Sequence, residues 1–400
     1  MSAHTPSENP FDLSPAGLIL CDGIQSRDTE LAASARERLI ALHGDERLAF
    51  EFAERNEVAC ILGHRHVSEA MRPGVDFALD LFGQAHEKVR QRMQSYMAEL
   101  DAVAAELDRH DIPLVALKNS GIVRGIYPCA GCCPMGDIDV LVRRSDFRRA
   151  HDVLVALGFH FEFRSTLEKD DLDEAERTGG TEYRKQLASG ETLWFELQWR
   201  AVSGRWIRPD QEPETDRLMA RTVPVPGSAV RLLSPADNLL QVALHTAKHS
   251  YVRAPGFRLH TDVDRVVQAT DVPWDAFVRS AKERQVATAT YFSLLIPSLI
   301  LGTPIPPDVL SELRPSPRKV SWMIGTLRRA GLLEPHAPKF GRWQYLRFTA
   351  ELYDDPRPLL RGIWPDRATM EKQYGPANAW RLFGQRLGRL KDLAFRRNAT

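Results

Sequence analysis

Two aspartates, Asp137 and Asp139, stand two residues apart inside the apolar run "GDIDVLV". In a strand, residues i and i+2 project to the same side, so the two carboxylates share a face. Like charges this close repel unless a cation lies between them. A hard divalent ion, Mg²⁺ or Mn²⁺, meets that need, because it takes oxygen ligands and completes its shell with substrate phosphates. Gly136 leaves room beside the pair.

The segment "TLWFELQWR" supplies a third acid. With strand alternation, Leu193, Phe195, Leu197 and Trp199 face one side, while Trp194, Glu196 and Gln198 face the other. An acid within an apolar strand is costly unless it is solvated, paired or bound to a metal. Taken alone, Glu196 reads as an acid on a solvated face. Taken with Asp137 and Asp139, it fits as a partner that completes a metal site or accepts a proton. Upstream, "ALKNSGIVRG" follows a strand. A turn there can aim backbone N–H groups and the Ser120 hydroxyl at a phosphate, with Lys118 and Arg124 adding positive charge. No GxxxxGK[ST] pattern is present, so this is not a P-loop.

The elements that must position these groups follow from the periodicity. "QAHEKVRQRMQSYMAELDAVAAELDRHD" carries Val89, Met93, Tyr96, Met97, Leu100, Val103 and Leu107 at steps of three and four, which predicts a long amphipathic helix. Residues 112–120 and 137–142 read as strands. A helix follows, with Ser145 as N-cap and Gly158 as its stop. Residues 159–164 and 192–200 read as further strands, and 165–190 as an irregular, charged loop or hairpin. Ser234 followed by Pro235 opens a helix. Residues 286–302 read as a buried helix broken near Pro297, and residues 380–400 as a basic amphipathic helix. This gives a loose segment over 1–25, a helical region over 26–111, a small α/β domain over 112–230 and a helical domain over 231–400.

Composition narrows the function classes. The 400 residues hold 53 basic and 53 acidic side chains, which disfavours non-specific binding to long nucleic acid or anionic lipid. The first residues lack a basic segment followed by an apolar one, so no secretory signal is expected, and the expected location is the cytoplasm. The five cysteines then read as reduced thiols. "CAGCC", holding Cys129, Cys132 and Cys133, has no second CxxC to complete four zinc ligands and reads as a plain reduced loop.

At these residues the sequence resembles the DNA polymerase β-type nucleotidyltransferase superfamily, whose pattern is Gly-Ser, a spacer, hDhDh and a third carboxylate on a later strand. More closely, residues 112–162, "WFELQWR" and "SPADNLLQVALHTAKHS" are similar to the bacterial family of uncharacterised nucleotidyltransferases, over roughly residues 26–270. The resemblance implies an α+β protein in which a polymerase-β-like α/β domain is flanked by helical regions. It implies Asp137, Asp139 and Glu196 as metal-binding and catalytic acids. It places Asn119-Ser120 at the superfamily's Gly-Ser turn toward the β- and γ-phosphates and matches Lys118 to the family lysine. His245, Lys248 and His249 match a HxxKH element, as site residues without an assigned role or as helix-packing residues. Asn119 in place of Gly implies a left-handed asparagine or a shifted phosphate. The family arginine before the acids falls at Cys132 or Cys133. The implied activity is transfer of an NMP from an NTP, ATP first among them, to a small-molecule or peptide acceptor, with release of pyrophosphate. A protein or tRNA acceptor, or nucleotide binding without catalysis, are the alternatives.

Overall fold

The computed structural model describes residues 10–24, 29–64, 79–127, 129–164, 171–202, 207, 211–355, 357 and 380–384. The expected irregular segment at 165–170 and most of the basic C-terminal helix lie outside these residues. In chain order come α1 (Pro15–Gly23), α2 (Thr29–His43), α3 (Glu46–Arg55), α4 (Ala59–Leu62), α5 (Leu81–Arg109), β1 (Val115–Ala116), α6 (Lys118–Gly125) and β2 (Asp137–Leu141). Then follow α7 (Phe147–Ala156), β3 (His160–Phe161), α8 (Leu172–Thr178), β4 (Gly180–Gln186), β5 (Thr192–Gln198), α9 (Thr215–Met219), β6 (Val223–Pro224) and β7 (Arg231–Leu232). The remainder is helical: α10 (Pro235–Lys248), α11 (Phe257–Ala269), α12 (Trp274–Glu283), α13 (Ala287–Ile300), α14 (Pro307–Leu313), α15 (Pro317–Ala330) and α16 (Arg342–Glu351).

The mixed α+β architecture expected from the sequence is the one found. One sheet runs β3-β4-β5-β2-β1-β7-β6. Strands β2 and β5 pair in parallel, as do β1 and β7, and the other neighbours are antiparallel. Ile138, Val140, Leu193, Phe195 and Leu197 are buried in a core shared with Met93, Tyr96, Leu100, Val103 and Leu107 of α5 and with Phe147 and Leu154 of α7. Alternation turns Asp137, Asp139 and Glu196 to the opposite face, toward α6 and α10. A second core joins α1–α4 to α10–α13, and it takes Leu117, Ile122 and Leu141 from the edge of the sheet unit.

Several local expectations change. The strand expected over 112–120 shortens to Val115–Ala116, because Lys118 already opens α6. The segment 159–164 forms strand only at His160–Phe161. Part of 165–190 is regular after all: Asp171 caps α8 by accepting from the N–H groups of Asp173 and Glu174, and β4 pairs along the whole of β5. Ser145 is not a cap. It lies in a 3₁₀ turn, Arg144–Asp146, that leads into α7. Gly158 does stop that helix, at φ +82°, a conformation costly for residues with a Cβ. Ser234 caps α10 as expected, its Oγ accepting from the N–H of Asp237. Helix α13 runs unbroken through Pro297. That helix is buried on nearly every side, and Ser293 Oγ donates to the Ala243 carbonyl at 2.6 Å, so packing offsets the lost N–H.

Candidate active site

The parallel register of β2 and β5 sets Asp139 directly beside Glu196, and Asp137 beside Trp194. On the other side of β5, Glu182 of β4 is opposite Glu196. Four carboxylates therefore meet on one sheet face at the floor of an open cavity of about 1030 Å³. Asp139 is buried, whereas Asp137 and Glu196 each keep 28% of their side chain exposed.

Two cations hold this cluster. Lys118 Nζ lies 2.5 Å from Asp139 Oδ1 and 3.6 Å from Glu196 Oε2. Arg164 bridges Asp137 Oδ2 at 2.6 Å and Glu182 Oε1 at 3.0 Å, with its guanidinium over the Trp194 ring. Gln198 Nε2 donates to Asp139 Oδ1 at 2.9 Å. Burial raises the Asp139 carboxyl well above the usual range, Glu196 and Asp137 raise it further, and Lys118 only partly offsets them. Burial would raise Glu196 too, but Lys118 and the Asp139 hydrogen bond hold it down to about 2. The two ionise as a pair, Asp139 last. Lys118 is raised: burial opposes its charge, and the three acids outweigh that.

The local fold explains how Lys118 gets there. Its backbone sits at φ +49°, a strained conformation for a lysine. Its N–H donates to Gln241 Oε1 of α10 at 3.2 Å, which holds the turn while the side chain reaches the acids. The left-handed residue of this turn is thus Lys118 and not Asn119. The Asn119 amide faces α11: turned so that both its ends are satisfied, its nitrogen donates to the Asp262 carboxylate at 2.7 and 3.0 Å and its oxygen accepts from Arg258 at 2.7 Å. Asn119 nevertheless lines the cavity.

The remaining expected residues divide. Gly136 lines the cavity, and a Cβ there would meet nothing within 4 Å, so the glycine leaves open space next to the acids. His245, Lys248 and His249 all line it from the end of α10. The two imidazoles make an edge-to-face contact at 4.9 Å. Burial, with Lys118 and Lys248 nearby, lowers both histidines, His249 to about 4. Lys248 forms no ion pair or hydrogen bond among the described residues; burial and the neighbouring Lys118 lower it, against the pull of Glu196, Asp139 and Asp137. Ser120 does not reach the cavity. Its hydroxyl is fully buried and accepts from the Asp139 N–H at 2.9 Å, so it fixes β2. Arg124 points away as well and pairs with Asp101 of α5 at 2.8 Å. Neither is placed to touch a phosphate bound at the acids.

Arg164, Glu182 and Arg258 were not singled out from the sequence. Glu182 had a signal, since it alternates with buried Thr181 and Tyr183. Arg164 and Arg258 had none, because each comes to the site only through tertiary packing. Arg258 and Arg265 of α11 donate to the Pro134 and Cys132 carbonyls, beside the place where the family arginine would stand.

The donor set suits a divalent ion. Asp137, Asp139 and Glu196 together offer hard oxygen donors on one face of the sheet. No curated protein matches the chain. A family model described as "Uncharacterised nucleotidyltransferase" matches residues 43–302, the part that contains the sheet, the acids and α10. Because this match spans more than half of the 400 residues, the chain belongs to that nucleotidyltransferase family.

Proposed function

We propose that the protein is a Mg²⁺- or Mn²⁺-dependent nucleotidyltransferase that moves an NMP from an NTP, ATP by preference, to a small-molecule or peptide acceptor. The observation that carries this reading is the pairing of Asp139 with Glu196 in register, with Asp137 alongside, at the floor of a cavity large enough for a nucleotide. When bound to these acids, a divalent cation would neutralise triphosphate charge and orient the α-phosphorus.

The protein's own residues do the rest. Lys248, open to the cavity and without an ion pair among the described residues, attracts the triphosphate, and Lys118 offsets charge at the acids. The acceptor oxygen or nitrogen attacks the α-phosphorus, and the bond to the pyrophosphate oxygen breaks. The acceptor's proton passes to Glu196 or to water, and pyrophosphate leaves. His245 and His249, held neutral, add no further positive charge. Catalysis of this kind is positioning plus charge stabilisation.

The balanced charge of the chain supports an acceptor smaller than a long polynucleotide. A second reading, nucleotide binding without transfer, draws on the buried Ser120 and the averted Arg124, which leave the phosphates fewer partners. Calorimetric titration of ATP, GTP, CTP and UTP with and without Mg²⁺ tests the first step, and mass spectrometry of candidate acceptors tests transfer. Absence of metal-dependent NTP binding, unchanged by Asp137→Ala, rejects the transferase reading.

A further inference from the structure

The cysteine loop expected to be a plain reduced turn has partners that its sequence does not announce. The ligand atoms of Cys129, Cys132 and His64 all lie within 4.8 Å of one another. His64 follows α4, far from the cysteines in sequence, and the loop reaches it because the 3₁₀ turn Ala130–Cys132 packs on α4 and α5.

A second histidine stands beside them. His86 of α5 is buried, and its Nε2 is 3.8 Å from Cys129 Sγ. Its Nδ1 lies 2.8 Å from the Cys60 carbonyl. A carbonyl only accepts, so Nδ1 carries the proton and Nε2 presents its lone pair. Cys132 Sγ lies 4.0 Å from Nδ1, and the ring stacks flat on His64 at 4.9 Å, so His86 orients the ligands and does not share their metal. Gly131 lets the loop close on this imidazole, since a Cβ there would sit 2.5 Å from His86 Nε2.

We infer that His64, Cys129 and Cys132 bind a zinc ion, with His86 packed against the site. Two thiolates and an imidazole are donors that select Zn²⁺, and water would complete the tetrahedron. None of these residues lines the cavity that holds the acids. The site has a positioning role. It ties α4, α5 and the loop together just before β2, while Arg265 of α11 holds the same loop by donating to the Cys132 carbonyl at 2.7 Å.

The test is the metal content of the full chain, purified without chelator, by elemental mass spectrometry. Equimolar zinc is expected, retained in Cys21→Ser and lost in Cys129→Ser and Cys132→Ser. His64 is only half-buried, so His64→Ala serves as a variant that keeps its fold, checked by circular dichroism, and it should hold zinc more weakly against a chelator. Cobalt added to the wild-type chain stripped of metal should give the visible bands of a tetrahedral ion and a thiolate-to-cobalt charge-transfer band. A wild-type chain that carries no zinc and gives no such bands overturns the proposal. So does zinc that persists in Cys129→Ser, or a Cys129–Cys132 disulfide in protein purified under reductant. None of these readouts depends on nucleotidyl transfer.

Discussion

Asp139 and Glu196 are nearest neighbours across two parallel strands, and Lys118 Nζ stands within 4 Å of both carboxylates. The acids are thus placed by backbone register, and the ammonium by a strained turn. Each has a separate experimental signature.

Asp139→Asn keeps the shape of the site and removes its most buried acid. NMP transfer, read as pyrophosphate release, should fall by about 10² to 10³, the usual cost of losing one preorganised electrostatic contact. Asp137→Asn should fall similarly and also release Arg164 from that end of its bridge. Activity within twofold of wild type in both variants would rule out the assigned roles.

Lys118→Ala leaves Asp139 and Glu196 together without their cation. Removing one partner from a buried pair costs about 3 kcal/mol, at the low end of the usual range. Chemical denaturation in chelator should show that loss. Added Mg²⁺ should restore more stability to the variant than to wild type, because an ion can replace the missing charge.

Lys248→Ala should weaken NTP binding about tenfold, or roughly 1.4 kcal/mol, as the loss of one charged contact predicts. Denaturation midpoints should barely move, since this lysine pairs with no described group. A change in stability without a change in KM would show that the HxxKH element serves packing.

Ser120→Ala separates the expected phosphate contact from the observed one. The buried Asp139 N–H loses its acceptor, which costs about 1 to 3 kcal/mol of stability. KM for NTP should change little. A raised KM with unaltered stability would mean that the hydroxyl turns to the phosphate.

His260 predicts acid sensitivity. It is fully buried, its Nε2 donates to the Tyr251 carbonyl at 2.9 Å, and Nδ1 has no partner among the described residues to take a second proton's hydrogen bond. Burial lowers it to about 4, below the ordinary 6.5. Because the folded value is depressed, its stabilising contribution is complete above pH 6.5 and is lost as pH falls toward 4. At pH 4.5 the loss amounts to about 2 to 3 kcal/mol relative to pH 7.5. A His260→Gln chain should show a smaller loss over that interval in guanidinium denaturation.

The acids were legible because strand alternation is local: "DIDVLV" and "WFELQ" each state which side chains share a face. The strand order that joins them is not local, yet the alternation of "WFELQ" already offered Glu196 as the third acid, and the family pattern agreed. Ser120 and Arg124 were misplaced because residues in a turn disclose no direction. Once Lys118 takes the left-handed conformation and α6 begins, Ser120 points under β2 and Arg124 toward α5. Pro297 misled because a proline's local penalty says nothing about how well the helix around it is buried. The histidines beside "CAGCC" were invisible for the opposite reason: a search for a second CxxC finds only ligands that are close in sequence.

The register between β2 and β5 also constrains how the molecule comes to exist. The sheet neighbours of Asp137–Leu141 are β1, upstream, and Thr192–Gln198, synthesised much later. Until the later strand arrives, β2 presents a bare edge, and its two aspartates have no third acid beside them. Divalent-metal affinity at the acids should therefore report completion of long-range folding. During refolding it should appear with the β2–β5 pairing and not with the early helices.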